Sequence, residues 1–287
     1  MLTAQMNGKV VIVTGANAGI GKAAASKLAE MGAHIIMVAR DERRGQLAQQ
    51  EIKTASGSTR VDLLIADLSS QQSIRQLATS IQHGYERVDV LLNNAGGVWG
   101  ERRLTVYGIE YTFALNHLGY FLLTQLLLDL LKRSAPARII NVSSGAHNSG
   151  HINFDDLQGV QKYSPMTAYS QSKLANVLFT YELARRLEGT NVTVNCLHPG
   201  FVNTRFGRDG DLSGLVGKLL PLVSRFMART PERGADTAVY LASDPQFAQV
   251  TGKYFDTRKD TRSSSESYDT AIAARLWTMS EEMTGLY

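Results

Sequence analysis

The stretch Lys9-Val10-Val11-Ile12-Val13-Thr14-Gly15-Ala16-Asn17-Ala18-Gly19-Ile20-Gly21 decides how this chain folds. Val10–Thr14 is β-branched throughout, and an unbroken run of this kind reads as a strand buried on both faces, as in a parallel sheet. The glycines follow at once, and an Ala/Lys/Leu-rich helix runs from them to about residue 31. Strand, glycine turn and helix in that order are what a phosphate-cradling loop requires. Glycines let backbone N–H groups approach an anion, and the helix N-terminus adds a favourable dipole. The spacing of Gly15, Gly19 and Gly21 is Thr-Gly-x-x-x-Gly-x-Gly rather than G-x-G-x-x-G. A Walker loop, suggested by Gly21-Lys22, fails twice. Position 16 is Ala where its first glycine belongs, and position 23 is Ala where a magnesium-binding Ser or Thr belongs.

Outward from this unit the α/β alternation continues. Strands are expected at 34–39, 61–66, 88–92, 137–142 and 192–197, and a final edge strand at 252–255. Helices are expected at 70–82, capped by Ser69 or Ser70, at 105–133, at 167–187, from Thr230-Pro231-Glu232 to 243, and at 268–283. Residues 258–268 are polar and read as a loop. Strands separated by helices imply a single α/β domain over 1–287: a Rossmann-type, doubly wound parallel sheet of about seven strands with helices on both faces. Ligands of such sheets bind beyond the carboxyl ends of the strands. Gly15, Arg40, Asp67, Asn93, Ser144 and Pro199 all lie just past predicted strand ends, so one edge collects the candidate functional groups.

The end of the second strand lies about twenty residues past the glycine turn, where an acid would hold the ribose 2′-OH of NAD. Here the chain reads Ala39-Arg40. The Arg40 guanidinium can pair with a 2′-phosphate, so NADP(H) is expected, with NAD(H) kept as the second option because Asp41 follows. Arg43 and Arg44 fit a solvated helix face. Asp67-Leu68, after the third strand, sits where an acid could meet an adenine amine.

The composition excludes several classes. With 30 Lys and Arg against 26 Asp and Glu, net charge +4, and no basic block longer than a pair, a nucleic-acid partner is not expected. The single cysteine, Cys196, lies in an apolar run. It rules out an internal disulfide and fits a reducing, cytoplasmic setting. Residues 1–8 contain no apolar signal core, and the apolar stretch 118–131, interrupted by Thr124, Gln125 and Asp129, is too short for a membrane span. His147 and His151 sit in a loop without a third ligand at usable spacing, so no metal is expected; they are read as lining the substrate entrance or facing water.

Tyr169-Ser170-Gln171-Ser172-Lys173 places a phenol and an ammonium one turn apart on a helix face. A phenol ionises near about pH 10 in water. A Lys⁺ beside it favours the phenolate, lowering that value and fitting the pair to pass a proton to or from a substrate oxygen. Alone, the spacing is weak evidence for catalysis and reads first as an amphipathic helix with a half-exposed tyrosine.

Together, Thr14-Gly15-x-x-x-Gly19-x-Gly21, Asn93-Asn94-Ala95-Gly96, Asn116, Ser144, Tyr169-x-x-x-Lys173 and Pro199-Gly200-x-x-x-Thr204 resemble the short-chain dehydrogenase/reductase family over nearly the whole chain. The tract from Phe154-Asp155-Asp156-Leu157 to Lys173-Leu174-Ala175-Asn176-Val177-Leu178-Phe179 looks like its retinol-dehydrogenase-like branch, as do Gly252-Lys253-Tyr254-Phe255 and Leu276-Trp277. Membrane-bound members of that branch carry an apolar N-terminal anchor, which residues 1–8 do not resemble; this points away from a retinoid.

The resemblance implies an NADP(H)-preferring oxidoreductase that interconverts a lipophilic aldehyde or ketone and its alcohol. It makes Tyr169 the acid/base, Ser144 (rather than Ser143) the partner of the substrate oxygen, Lys173 the ribose-binding neighbour of Tyr169, and Asn116 the holder of a relay water. Gly15, Asn17, Gly19, Ile20 and Gly21 would line the pyrophosphate, Asn94 and Gly96 the adenosine ribose, and Pro199, Gly200, Val202 and Thr204 the carboxamide side. Two rivals remain: an epimerase-like enzyme using the same Tyr/Lys pair, and a cofactor-binding sensor without turnover. Residues 201–230, rich in glycine and in Phe and Leu, read either as a lid over an apolar substrate or as a helix packed on the core. The 120–131 and Tyr169 helices carry apolar residues on more than one face; the resemblance implies that they pair into a homodimer or homotetramer, the alternative being that both simply pack on the sheet.

Overall fold

Residues 5–200 and 229–286 are described by the structure, a computed structural model. In chain order the elements are β1 Val10–Thr14, α1 Gly19–Glu30, β2 His34–Ala39, α2 Glu42–Ser56, β3 Val61–Ile65, α3 Gln71–Gly84, β4 Val90–Asn93 and α4 Tyr111–Arg133. There follow β5 Ala137–Val142, α5 Pro165–Arg186, β6 Val192–His198, α6 Pro231–Ser243, β7 Lys253–Asp256, β8 Lys259–Asp260 and α7 Thr270–Thr284. The sheet runs β3-β2-β1-β4-β5-β6-β7-β8, parallel from β3 to β7. The strand order reverses between β1 and β4, the switch point at which a crevice opens beyond the strand ends.

Local chemistry sets the helix starts. Asp41 accepts the Arg44 N–H to open α2, Ser70 caps α3, Ser164 caps α5 with Pro165 behind it, and Asp269 takes two N–H groups of α7. The inner strands β1, β2, β4, β5 and β6 are buried on both faces, which is why they read as continuous apolar runs. On one face Val11, Val13 and Ile35 pack against α1 and α6 through Leu28 and Leu241. On the other, Ile12, Ile36 and Leu91 pack against Ile81, Leu123 and Leu183.

The structure corrects two expectations. The 105–133 helix starts later, at Tyr111, because Leu104 bridges Glu110 and the Glu110 carboxylate caps the Thr112 and Phe113 N–H groups. Within it, Ala114–Leu118 forms a π turn. The strand expected at 252–255 is β7, and it is not the edge: the polar residues after it turn back into the short antiparallel β8, so the sheet has eight strands. The proposed lid, apart from 229 and 230, lies outside the described residues. Among the described residues, α4 is the one helix long and apolar enough to cross a membrane, and most of it is buried in the core. The apolar faces of α5 are likewise consumed within the chain. Ser170 through Leu183 are all buried, and Leu174 and Leu178 pack with Leu276 of α7.

Candidate active site

The β1 end builds the cradle. Gly15 and Gly19 adopt positive φ (66° and 54°), a region open mainly to glycine. A Cβ on Gly21 would lie 2.4 Å from Asn94 Nδ2 and 2.5 Å from the Gly15 carbonyl oxygen, so this turn tolerates no side chain. Thr14 ties it to the β4 end: its hydroxyl accepts the Asn94 and Ala95 N–H groups at 2.8 and 3.0 Å, and Asn94 Nδ2 donates to the Thr14 carbonyl at 2.8 Å. Asn17 and Ile20 stand on the same turn, partly exposed. The cradle is therefore open backbone beside a helix N-terminus, which fits a pyrophosphate.

At the β2 end Arg40 is exposed, and its Nη1 donates to the Tyr111 hydroxyl at 2.8 Å. Asp41, the residue that weakened the NADP reading, spends a carboxylate oxygen on the α2 cap. Asp67 is turned inward on its own loop, accepting from both the N–H and the hydroxyl of Ser69, and the Leu68 side chain is buried against α3 and α4.

The candidate cluster of Asn116, Ser144, Tyr169 and Lys173 gathers at the ends of β4, β5 and β6. Tyr169 is hydrogen-bonded to Ser144, and Lys173 Nζ lies 5.8 Å from the Tyr169 ring centroid. A Cβ on Gly96 would lie 2.9 Å from Asn116 Oδ1 and 3.4 Å from Lys173 Nζ, so the β4 loop presses directly on the cluster. Lys173 donates to the Val142 carbonyl at 3.0 Å. The two serines are placed differently: Ser143 is buried and donates to the Lys173 carbonyl at 2.8 Å, while Ser144 reaches Tyr169.

One electrostatic expectation is overturned. Burial pushes the Tyr169 phenol up to about 12, the Ser144 hydrogen bond working the other way, and burial pulls Lys173 down to about 7. The two groups share a dry pocket, and desolvation of each charged form outweighs the attraction between them.

Asn116 is held rigidly. Its Oδ1 accepts the Gly97 N–H at 2.8 Å, and its Nδ2 donates to the Gly97 carbonyl and to Ser172 Oγ, both at 2.9 Å. Its own carbonyl accepts Asn176 Nδ2 at 2.9 Å. Behind it runs a buried chain of side chains: Thr180 Oγ1 donates to the Asn176 carbonyl, Asn141 Nδ2 to Thr180, and Asn93 Nδ2 to Asn141 Oδ1.

Three histidines belong to this framework rather than to solvent. His147 is buried, not at an entrance. Its Nδ1 lies 2.7 Å from the Ser144 carbonyl, and its Nε2 accepts the Ser264 N–H at 3.2 Å. His198 Nδ1 accepts the N–H groups of Gly145 and Gly200, joining the Ser144 turn to the Pro199-Gly200 turn; burial lowers its pKa. His117 meets Ser280 of α7 at 3.0 Å. His151 pairs at the surface with Glu266 at 2.8 Å. Sequence reasoning missed the roles of Thr14, His147 and His198, whose partners are backbone groups that leave no sequence pattern. Val202 and Thr204 lie outside the described residues.

A phenol, a serine hydroxyl and a lysine beside a glycine cradle at a switch point are the parts of a nucleotide-dependent hydride-transfer site. Residues 9–211 match the model of the short chain dehydrogenase family. The chain belongs to the short-chain dehydrogenase family. Among curated relatives, human retinol dehydrogenase 14 is 47% identical over 98% of this chain and 88% of its own length. Human retinol dehydrogenase 13 is 47% identical over 99% and 86%. Among solved structures, a protein of Mycobacterium paratuberculosis superposes with a TM-score of 0.80 at 34% identity, covering 99% of this chain and 96% of that one. The RhlG/NADP complex of Pseudomonas aeruginosa gives 0.68 at 31% identity, covering 88% and 95%. The chain is thus a short-chain oxidoreductase of the retinol-dehydrogenase-like branch, acting between alcohol and carbonyl.

Proposed function

We propose that this enzyme interconverts a lipophilic aldehyde or ketone and its alcohol, prefers NADP(H), and uses Tyr169 as its acid/base. The observation that carries the reading is the Ser144–Tyr169 hydrogen bond beside Lys173, at the edge where the cradle opens. The cradle's positive-φ glycines and the clash a Cβ would make at Gly21 fit a bound dinucleotide. Gly15, Asn17, Gly19, Ile20 and Gly21 would hold its pyrophosphate, Asn94 and Gly96 its adenosine ribose, and Pro199, Gly200, Val202 and Thr204 its carboxamide. A nicotinamide bound there supplies or accepts the hydride.

The protein's own work is proton transfer and charge stabilisation. With its pKa near 12 the Tyr169 phenol is protonated at neutral pH, so in reduction it can donate a proton to the carbonyl oxygen. Ser144 donates a hydrogen bond to that oxygen as charge develops. Lys173 steadies the phenolate left behind. Asn116, held by Gly97 and Ser172, lies with Lys173 against Gly96 and would hold a relay water there.

Arg40 supports NADP(H): it is exposed at the β2 end, and the neighbouring Asp41 is engaged in capping. The relatives' name, retinol dehydrogenase, supports an apolar alcohol as substrate class. The lone thiol, Cys196, is buried and free, which supports a reducing, cytoplasmic setting.

Oxidation of NADPH and NADH over a panel of lipophilic aldehydes and ketones, retinal included, tests the proposal. Turnover favouring NADPH and falling at least about a thousandfold in Tyr169→Phe, with NADPH binding retained, is the expected result. Wild-type turnover in Tyr169→Phe overturns it.

A further inference from the structure

Tyr120 lies one helical turn after Asn116 on α4 and is completely buried. Its hydroxyl has no hydrogen-bond partner among the described residues. What its ring does meet is Lys173, whose Nζ lies 5.6 Å from the ring centroid, against 5.8 Å for Tyr169. Lys173 is 3% exposed, and an ammonium has three N–H groups to place. One goes to the Val142 carbonyl at 3.0 Å. The groups around Nζ are Val142 from β5, the Gly96 backbone from the β4 loop, Tyr169 from its own helix, and Tyr120 and the neutral Asn116 amide from α4. Of these, the two aromatic rings are the remaining electron-rich partners, both within cation–π reach of about 6 Å. An unpaired buried ammonium is costly, so a ring face is a substantial contribution to its charged form.

We propose that Tyr120 is a positioning residue for Lys173: its ring face holds the ammonium by a cation–π contact that keeps this side chain charged and beside Tyr169. The ring face does this, not the hydroxyl, which is orphaned. Its consequence for turnover rests on the reading of Tyr169 and Lys173 given above; its consequence for Lys173 itself does not.

The test is an NMR titration of ¹³Cε-labelled lysine in the full-length, cofactor-free protein, with the Lys173 signal assigned by its loss in Lys173→Arg. Tyr120→Phe keeps a π face and should leave the Lys173 pKa in place. Phenylalanines of rising fluorine content at position 120, introduced by codon suppression, keep the shape while draining the ring face. The Lys173 pKa should then fall stepwise, by about half to one pH unit across the series, because only the charged form loses its partner. A role in packing alone would not follow fluorine content. A Lys173 pKa unmoved across the series overturns the proposal, as does a shift in Tyr120→Phe equal to that of the fluorinated rings, which would assign the effect to the hydroxyl. In parallel, the alkaline limb of the kcat profile should move down with the Lys173 pKa. A limb that stays fixed while that pKa falls upholds the contact and overturns the assignment of Lys173 to the reaction.

Discussion

The glycine cradle and the Tyr169–Lys173 cluster lie at one edge of one sheet, yet they are held in different ways. The cradle closes through backbone: two positive-φ glycines, a Gly21 with no room for a Cβ, and a Thr14 hydroxyl that accepts two N–H groups from the adjacent β4 end. Its parts are neighbours in sequence or across one strand pair. The cluster is held by side chains from β4, β5, α4 and α5, linked in the buried chain from Asn93 through Asn141 and Thr180 to Asn176 and Asn116. A backbone site survives side-chain change but not crowding. A side-chain network survives neither the loss of a member nor the charging of one, because each buried polar group depends on its partner.

The two sites should therefore fail separately. The largest effect is expected from Asn141→Ala, which removes one buried hydrogen bond each from Asn93 and Thr180 and opens a cavity. Denaturant unfolding should show a loss of about 4 kcal/mol, with kcat reduced and NADPH affinity in the folded fraction unchanged. A parallel loss of affinity would mean that the cradle leans on the same network.

His117 comes next. Burial pulls its pKa down to about 4 from 6.5. The unfolded chain therefore binds more protons than the folded one between those values. The stability that depends on neutral His117 is complete above about pH 6.5 and is lost as pH falls to about 4, at most about 3 kcal/mol. His117→Gln should flatten that acid slope, measured by unfolding at a series of pH values; an unchanged slope would assign the acid sensitivity to another group.

Gly21→Ala addresses the cradle. Its Cβ would displace the Gly15 carbonyl and Asn94, so NADPH titration should show affinity weakened about 10- to 100-fold, with kcat at saturation nearly intact. A collapse of kcat instead would join the two sites. The smallest effect is expected from Arg40→Ala: about tenfold weaker NADPH binding, with NADH unchanged, each read by fluorescence titration. Equal losses for both cofactors would remove Arg40 from 2′-phosphate recognition.

Legibility in the sequence follows the same division. The Thr14-to-Gly21 unit could be read because strand period and glycine geometry are local. Tyr169 and Lys173 could be read because four residues on a helix are also local. The start of α4 could not, since apolar residues continue upstream and only the Glu110 cap ends the helix. His147 was read as surface because it sits among Gly, Ser and Asn. The partner that buries it, the Ser264 N–H, lies far along the chain and is a backbone group. The direction of the Tyr169 and Lys173 shifts was equally hidden, because residue spacing carries the charge interaction but not the loss of water.

The sequence by itself determined the class of fold, the place of the glycine turn and the one-turn spacing of Tyr169 and Lys173, all of which rest on contacts within a few residues of the chain. The tertiary structure alone decided which serine faces Tyr169, what holds Asn116, and that Tyr120 covers Lys173. Those depend on which distant side chains share a dry interior, where one missing hydrogen bond or one unpaired charge outweighs any local preference.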